Sequence, residues 1–162
     1  MPPSSISRAL DDLARRGLIN KSKNGREVVI ERYGNRNDIV KKAIEFLRDP
    51  VARVVFARRD EHTNLLPMTG ESALSQRSML AAPRIEQRAI SRKAFKNLTF
   101  DEVLPGEVPD TEAVQIQVWI YDPLVAGADS VDDVSLALTL VGEGDERVIG
   151  QLNALFEEEL WH

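Results

Sequence analysis

The chain has 162 residues, no cysteine and a formal net charge of −5, and its apolar content of 43% is ordinary for a folded protein. The lack of cysteine excludes disulfides, thiol catalysis and thiolate metal sites, and no apolar run is long enough to span a membrane. The start of the chain lacks the apolar segment of a signal peptide, so we expect a protein of the cytoplasm.

The charges are distributed unevenly along the chain. Residues 1–98 carry 20 basic residues against 11 acidic ones, a net charge of +9. Residues 99–162 carry one basic residue, Arg147, against 15 acidic ones, a net charge of −14. We expect each half to present its own electric field, with DNA as the candidate partner of the basic half.

The start of the chain predicts an amphipathic helix. Pro2 and Pro3 block a helix, Ser4 or Ser5 can cap one directly after them, and Gly17 ends it. Three apolar residues recur at the spacing i, i+4 and i+7 that places them on one helical face: Ile6, Leu10 and Leu13.

A strand hairpin and a second helix are predicted next. Leu18 and Ile19 indicate a short buried strand, Lys23 to Gly25 a tight turn with the Asn-Gly signal, and Glu27 to Glu31 the returning strand. A helix follows from Asn37 or Asp38 to about Arg48, where the Asp-Pro pair stops it.

The remaining sequence predicts alternating strands, helices and polar connections. Strands are expected at 51–57, 85–90 and 114–121, the last alternating an aliphatic face with a polar and aromatic one, and helices at 71–80, 91–98 and 145–160. Segment 134–141 is a strand or another buried segment, and the connections lie at 58–64, around Pro105 to Pro109, and at 122–133. We therefore predict an α+β protein, with a winged-helix-like piece in residues 1–48 and a mixed α/β domain in 49–162.

The first helix and the hairpin carry candidate DNA-binding residues. In a winged helix, a polar helix enters the major groove and a basic hairpin lies along the phosphates. Arg8 is the candidate for direct base readout, because a guanidinium can donate two hydrogen bonds to guanine. The candidate contacts are Ser4, Ser5, Ser7, Arg8 and Arg15 from the helix, and Lys21, Lys23, Asn24 and Arg26 from the hairpin. The alternative is a simple N-cap on a surface helix and a solvated turn.

The stretches Pro3 to Leu10 and Arg16 to Ile19, with Leu13 between them, resemble the recognition helix and first wing strand of bacterial winged-helix regulators of the MarR type. The resemblance covers about the first 33 residues and implies binding of double-stranded DNA by a homo-oligomer, with a dimer as the expected form. Such domains have two helices before the recognition helix, which are absent here. Either the chain is part of a longer protein, or another part of the chain or another subunit covers the apolar helix face.

The downstream sequence resembles the regulatory domain of AbiEi-type antitoxins of bacterial abortive-infection systems. The resemblance is carried by Thr69-Gly70-Glu71-Ser72-Ala73-Leu74, Met79-Leu80-Ala81-Ala82-Pro83, Val118-Trp119-Ile120-Tyr121-Asp122-Pro123, Val131-Asp132-Asp133-Val134-Ser135-Leu136 and Asp145-Glu146-Arg147-Val148. It implies a repressor that binds its own promoter beside the gene of a nucleotidyltransferase toxin, and no enzymatic activity in this chain.

No motif in the sequence indicates catalysis, a cofactor or a metal site. A Gly-Lys-Ser/Thr phosphate loop, a Gly-x-Ser-x-Gly elbow and a His-rich metal pattern are all missing, so a carboxylate-pair enzyme ranks below the other functions. His62 follows two acids, but adjacent residues seldom point at one ion. The bases at 84–96 are expected to be solvated. The main alternative to a regulator is a module without DNA binding, in which the acidic half and its last helix, with Trp161, bind a protein partner or form a dimer.

Overall fold

The chain forms two compact units, Met1–Leu47 and Arg48–His162, and the division lies next to the boundary predicted at residue 48. The structure is a computed structural model that describes residues 3–124 and 130–162. Helices and sheets both occur, which confirms the predicted α+β class.

The N-terminal unit consists of a helix, a hairpin and a second helix. Helix α1 spans Pro3–Arg15, strands β1 (Ile19–Asn24) and β2 (Glu27–Arg32) pair antiparallel, and helix α2 spans Arg36–Ala43. A short 3-10 helix, Ile44–Phe46, follows α2 directly. The predicted continuous helix to Arg48 is therefore wrong at its end, since the backbone becomes extended at residue 47.

The two ends of α1 follow local chemistry. The helix begins at Pro3 instead of after it, because proline is tolerated in the first turn, where its missing N–H has no helical partner. At the other end the N–H groups of Gly17 and Leu18 donate to the carbonyls of Ala14 and Leu13, both at 3.0 Å. This Schellman pattern requires the left-handed backbone that Gly17 adopts, with φ of +71°.

The hairpin turn lies one residue later than predicted. Asn24 pairs with Glu27, so the two turn residues are Gly25 and Arg26. Gly25 has φ of +63°, the conformation that a two-residue hairpin turn needs at its first position. The Asn-Gly signal correctly indicates a turn, but only its glycine is a turn residue.

The C-terminal unit contains a three-stranded sheet. The strands are β3 (Val51–Arg58), β4 (Glu86–Ser91) and β5 (Ala113–Trp119), in the order β3-β5-β4. The central strand, β5, is antiparallel to β3 and parallel to β4. It has the strongest strand pattern in the sequence, and the predicted strand is confirmed, although it spans 113–119 instead of 114–121.

In the described part of the C-terminal unit, five α-helices accompany the sheet, and four of them differ from the prediction. The predicted polar loop 58–64 contains the short helix α3, the helix predicted to residue 80 ends at residue 75, and the last helix ends at residue 156 instead of 160. The helix predicted within 91–98 is present, and the Ser91 side chain caps it. The helices are α3 (Glu61–Asn64), α4 (Gly70–Ser75), α5 (Arg92–Phe95), α6 (Asp133–Leu140) and α7 (Glu146–Phe156).

Helix α6 replaces the strand considered for residues 134–141. The Asp132 side chain caps it by accepting from the Ser135 N–H at 2.8 Å. The helix packs against both α4 and α7, so apolar residues lie on nearly all of its sides. Its sequence therefore lacks the alternation of apolar and polar residues by which an amphipathic helix is recognised. The other reading, a buried segment, is correct, since Leu136 is fully buried. Residues 125–129 of the predicted 122–133 loop lie outside the described part.

Both faces of the sheet are covered. One face forms an apolar core in which Ile116 and Val118 pack with residues of β3 and β4. On the other face the Gln117 carboxamide oxygen accepts from the Thr69 hydroxyl at 3.2 Å and from the Trp119 indole N–H at 3.1 Å. Thr69 directly precedes α4, so this helix lies on the polar and aromatic face.

The end of the chain folds back onto α7. The Asn153 carboxamide oxygen accepts from the N–H groups of Leu160, at 2.9 Å, and Trp161, at 2.8 Å. Trp161 is only 4% exposed and packs edge-to-face on Phe156. The expectation that Trp161 contributes to a docking surface is therefore wrong, because its ring belongs to the core.

Candidate nucleic-acid interface

The predicted contact residues of α1 lie away from its apolar face. Ser7, Arg8 and Arg15 are exposed, and Ser5 is half-buried. The side chain of Ser4 lies outside the described part of the chain. Arg8 and Arg15 are seven residues apart, two helical turns, so they point in the same direction.

Acidic residues share this outward face. Asp12 forms ion pairs with Arg15 at 3.3 Å and with Arg16 at 2.9 Å. Asp11, one residue earlier, is exposed and forms an ion pair with Lys21 of strand β1. Part of the charge of Arg15 is therefore compensated, whereas Arg8 forms no ion pair within the described residues.

The hairpin places its bases in two different environments. Lys21 is half-buried, and its Nζ lies 2.6 Å from Oδ1 of Asp11 on α1. Lys23, Asn24 and Arg26 are exposed at the end of the hairpin, with Arg26 in the turn itself. Lys21 and Lys23 share one face of the strand, and Asn24 lies on the other.

One base of this surface was missed from the sequence. Arg32 is exposed and pairs with Ile19, so it lies on the same hairpin face as Lys21 and Lys23. Counting in steps of two along β2 from the turn would have found it. Together, Arg8, Lys23, Arg26 and Arg32 are bases without an ion pair within the described residues, and each can donate hydrogen bonds to a phosphate oxygen.

The N-terminal unit also has an exposed apolar surface. Its buried apolar residues are Leu18, Val40 and Ala43, whereas Ile6 of α1 is 46% exposed and Val28 of β2 is 47% exposed. Further exposed apolar residues of the unit are Leu13, Ile30, Tyr33 and Phe46. An apolar surface of this kind favours association with another protein surface.

The charge segregation of the sequence does not survive in the fold. Bases before residue 98 form ion pairs with acids after it: Arg58 with Asp101 and Glu112, each at 3.2 Å, and Arg77 with Asp133 at 2.7 Å. The expectation that the two halves present separate fields is therefore wrong. Charges far apart in the sequence neutralise each other within the C-terminal unit.

Other classes of site have little support. No cluster of three metal-ligating side chains occurs in residues 3–124 and 130–162, and the Asp60 carboxylate beside His62 caps α3 by accepting from the Thr63 N–H. Within the same residues, no helix has the length and apolar character needed to cross a membrane. No protein-family model, curated protein or solved structure matches this chain.

Proposed function

We propose that this chain is a DNA-binding transcriptional regulator that uses α1 and the β1–β2 hairpin as its contact surface. In this proposal α1 enters the major groove and the hairpin follows the phosphate backbone. The chain acts in the cytoplasm by binding and has no catalytic role. The observation that carries the proposal is the set of exposed bases on this helix and hairpin that form no ion pair in the part of the chain that the structure describes.

The division of labour follows from the side chains. The exposed Arg8 guanidinium has no ion-pair partner among the described residues and can donate two hydrogen bonds to the edge of a guanine. The bases of the hairpin end, Lys23 and Arg26, are suited to phosphates, which any sequence presents. Specificity therefore depends on the helix, and most of the salt-dependent affinity depends on the hairpin.

The regulator is further proposed to act as a dimer that represses its own operon, as the antitoxin of a toxin–antitoxin pair. The exposed apolar residues of the N-terminal unit, Ile6 and Val28 among them, support a second copy as the partner. A two-fold dimer would read a palindromic operator, with two half-sites about one helical turn apart.

Fluorescence anisotropy with labelled DNA tests the proposal. The labelled duplexes are the region upstream of the gene and a scrambled sequence of the same composition, each titrated across a salt series. We expect tighter binding to the upstream duplex and a linear fall of log K with log salt concentration. Equal affinity for both duplexes would reject specific regulation, and no binding to either would reject DNA binding.

The second candidate function is a protein-interaction module without DNA binding. A cleft of about 570 Å³ lies beside α7 and is lined by Met79, Leu155 and Ala154 among others. Met79 is 93% exposed, which is unusual for a methionine and typical of adaptable protein-binding surfaces. If this module is the function, Met79→Ser should abolish self-association or partner binding in sedimentation experiments, and Arg8→Ala should have no effect.

A further inference from the structure

Three bases of the C-terminal unit lie close together in the sequence and have no acidic partner among residues 3–124 and 130–162. Most arginines of the unit form ion pairs, as Arg58, Arg59, Arg77 and Arg88 do. Within the described residues, none of the ion pairs involves Arg92, Lys93 or Lys96. All three are exposed, on or directly after helix α5. Their charges are therefore available to an external anion.

Two of these bases line a cavity of about 390 Å³. Arg53 of β3 is a third basic residue in its wall, and none of the described residues that line it is acidic. The full lining consists of Ala52, Arg53, Arg92, Phe95, Lys96 and Val118. Cavities of this size hold small organic ligands.

The topology explains why these residues meet. Val118 of the central strand β5 pairs with Arg53 of β3 on one side and with Ile90 of β4 on the other. The chain leaves β4 at Ser91, whose hydroxyl accepts from the Ala94 N–H at 3.1 Å and starts α5 at once. Arg92 and Lys96 are four residues apart, so they lie on the same side of this turn.

The lining of the cavity combines basic and apolar side chains. Val118 is buried, and Phe95 stacks on Phe100 with ring centroids 5.5 Å apart, at the edge of the apolar core. The Arg53 guanidinium lies over the Phe95 ring, with its central carbon 4.6 Å from the ring centroid. Its nearest acid, Glu102, is 3.9 Å away, so this pair leaves most of the Arg53 donors available.

We propose that this cavity binds a small organic phosphate, with the phosphate group at Arg92 and Lys96 and the organic group against Phe95 and Val118. The bases supply charge-assisted hydrogen bonds to phosphate oxygens. The apolar wall favours a phosphate ester over the free ion, because burying its organic group adds a hydrophobic contribution. The inference concerns the C-terminal unit and is independent of DNA binding by α1 and the hairpin.

The small extent of this cavity favours a small ligand over a nucleic-acid strand. A strand needs a groove that continues past each phosphate, with aromatic rings exposed for successive bases to stack on. The lining of this cavity has a single aromatic residue, Phe95, so successive bases of a strand would have no second ring to stack on. The experiment must therefore distinguish binding of a small organic phosphate from contact with the phosphates of a DNA backbone.

The test is calorimetric titration of the whole chain with adenosine 5′-monophosphate, adenosine and inorganic phosphate. The expected result is saturable binding that is tightest for the monophosphate, weaker for phosphate and weakest for adenosine. No saturable heat with the monophosphate up to about 10 mM would overturn the proposal. Equal binding of adenosine would also overturn it, because the bases would then contribute nothing.

Three matched variants locate the site. Arg92→Gln and Lys96→Gln each remove one lining charge and should raise the Kd for the monophosphate about tenfold. Lys93→Gln removes the same charge from the same helix outside the cavity, and should change the Kd by less than about twofold. An equal effect of all three substitutions would show that the monophosphate is attracted by net charge alone, and it would reject the proposed site. All three side chains are exposed, and equal thermal unfolding temperatures would show that the variants fold.

A DNA arm completes the design. The same variants are titrated with the duplex from the upstream region, and we expect unchanged affinity for Arg92→Gln and Lys96→Gln. If they weaken binding of the duplex and the monophosphate does not bind, the cavity is a contact for the DNA backbone and the proposal is wrong. Failure of DNA binding by α1 and the hairpin would leave the monophosphate result unaffected.

Discussion

The ammonium group of Lys21 lies 2.6 Å from the Asp11 carboxylate, which connects the first strand of the hairpin to helix α1. The pair holds the two elements of the proposed DNA-binding surface together at one point. It also neutralises a base on the hairpin face shared with Lys23. The same contact therefore stabilises the surface and lowers its positive charge.

Substitution Asp11→Asn should increase DNA affinity. Loss of the carboxylate releases Lys21 to a phosphate and removes a repulsive charge from α1, so affinity for any duplex should rise several-fold. The slope of log K against log salt concentration should become steeper by about one, which corresponds to one additional phosphate contact. Stability should fall by no more than about 1 kcal/mol, because both side chains are partly exposed. Anisotropy across a salt series measures both effects.

Glu45→Gln is the control for this change. Glu45 is an exposed acid of the same unit, in the 3-10 helix after α2, and forms no ion pair within the described residues. It should alter affinity much less than Asp11→Asn does. If the two variants had equal effects, the gain would come from net charge and the role given to Lys21 would be wrong.

Alanine substitution should separate readout from phosphate contact. Arg8→Ala should cost roughly 1–3 kcal/mol on the upstream duplex and relax the preference at one base pair, because the guanidinium's hydrogen bonds to a base are lost. Lys23→Ala should weaken upstream and scrambled duplexes equally and reduce the salt slope by about one. Competition titrations with both duplexes measure the difference. Equal losses on both duplexes for Arg8→Ala would remove Arg8 from direct readout.

Gly70→Ala should destabilise the C-terminal unit. Gly70 has φ of +56°, which is strained for alanine, and a Cβ there would collide with the Gln87 carboxamide oxygen. That oxygen accepts from the Glu71 N–H at 2.6 Å in the first turn of α4. We expect a loss of about 1–3 kcal/mol in the free energy of unfolding by urea.

Gly150→Ala is the matched control. Gly150 lies within α7, has open space around its Cα, and should gain roughly 0.5–1 kcal/mol from the higher helix propensity of alanine. Equal effects at Gly70 and Gly150 would contradict the account of α4.

Tyr121 should make stability fall at high pH. Burial raises the pKa of its phenol above the ordinary value of 10.0, and the hydrogen bond with Ser135 offsets this only in part. As the pH rises above about 10, the Tyr121 phenol loses its proton more readily in the unfolded chain than in the folded one. The free energy of unfolding therefore decreases with rising pH in this range. Urea unfolding across this range should show a smaller decline for Tyr121→Phe than for the unsubstituted chain. An identical decline would assign the effect to other groups.

Local patterns predicted the elements whose residues determine their own conformation. The end of α1 depends on Gly17 in the left-handed region, and the hairpin on Gly25, both visible in the sequence. Strand β5 alternates so regularly that its type could be predicted, although it ends at Trp119, two residues before the predicted end. The candidate DNA surface belongs to this class, because a short helix and the hairpin directly after it carry all of its residues.

Features that depend on contacts between residues distant in the sequence could not be predicted from local sequence patterns. Helix α6 is apolar on several sides because other helices cover it, which removes the periodicity that distinguishes a helix from a buried strand. The ion pair of Arg77 with Asp133 joins residues far apart in sequence, so charge counts by halves misled. Burial of Trp161 depends on Asn153, a contact that no spacing rule anticipates.

The most direct test of the central claim is to map, by NMR, which amide groups shift when the upstream duplex is added to the isotopically labelled chain. The proposal predicts the largest shifts in the first turns of α1, around Ser7 and Arg8, and at the hairpin end, around Lys23 and Arg26. Shifts confined to Arg48–His162 would contradict it, because the DNA would then bind elsewhere.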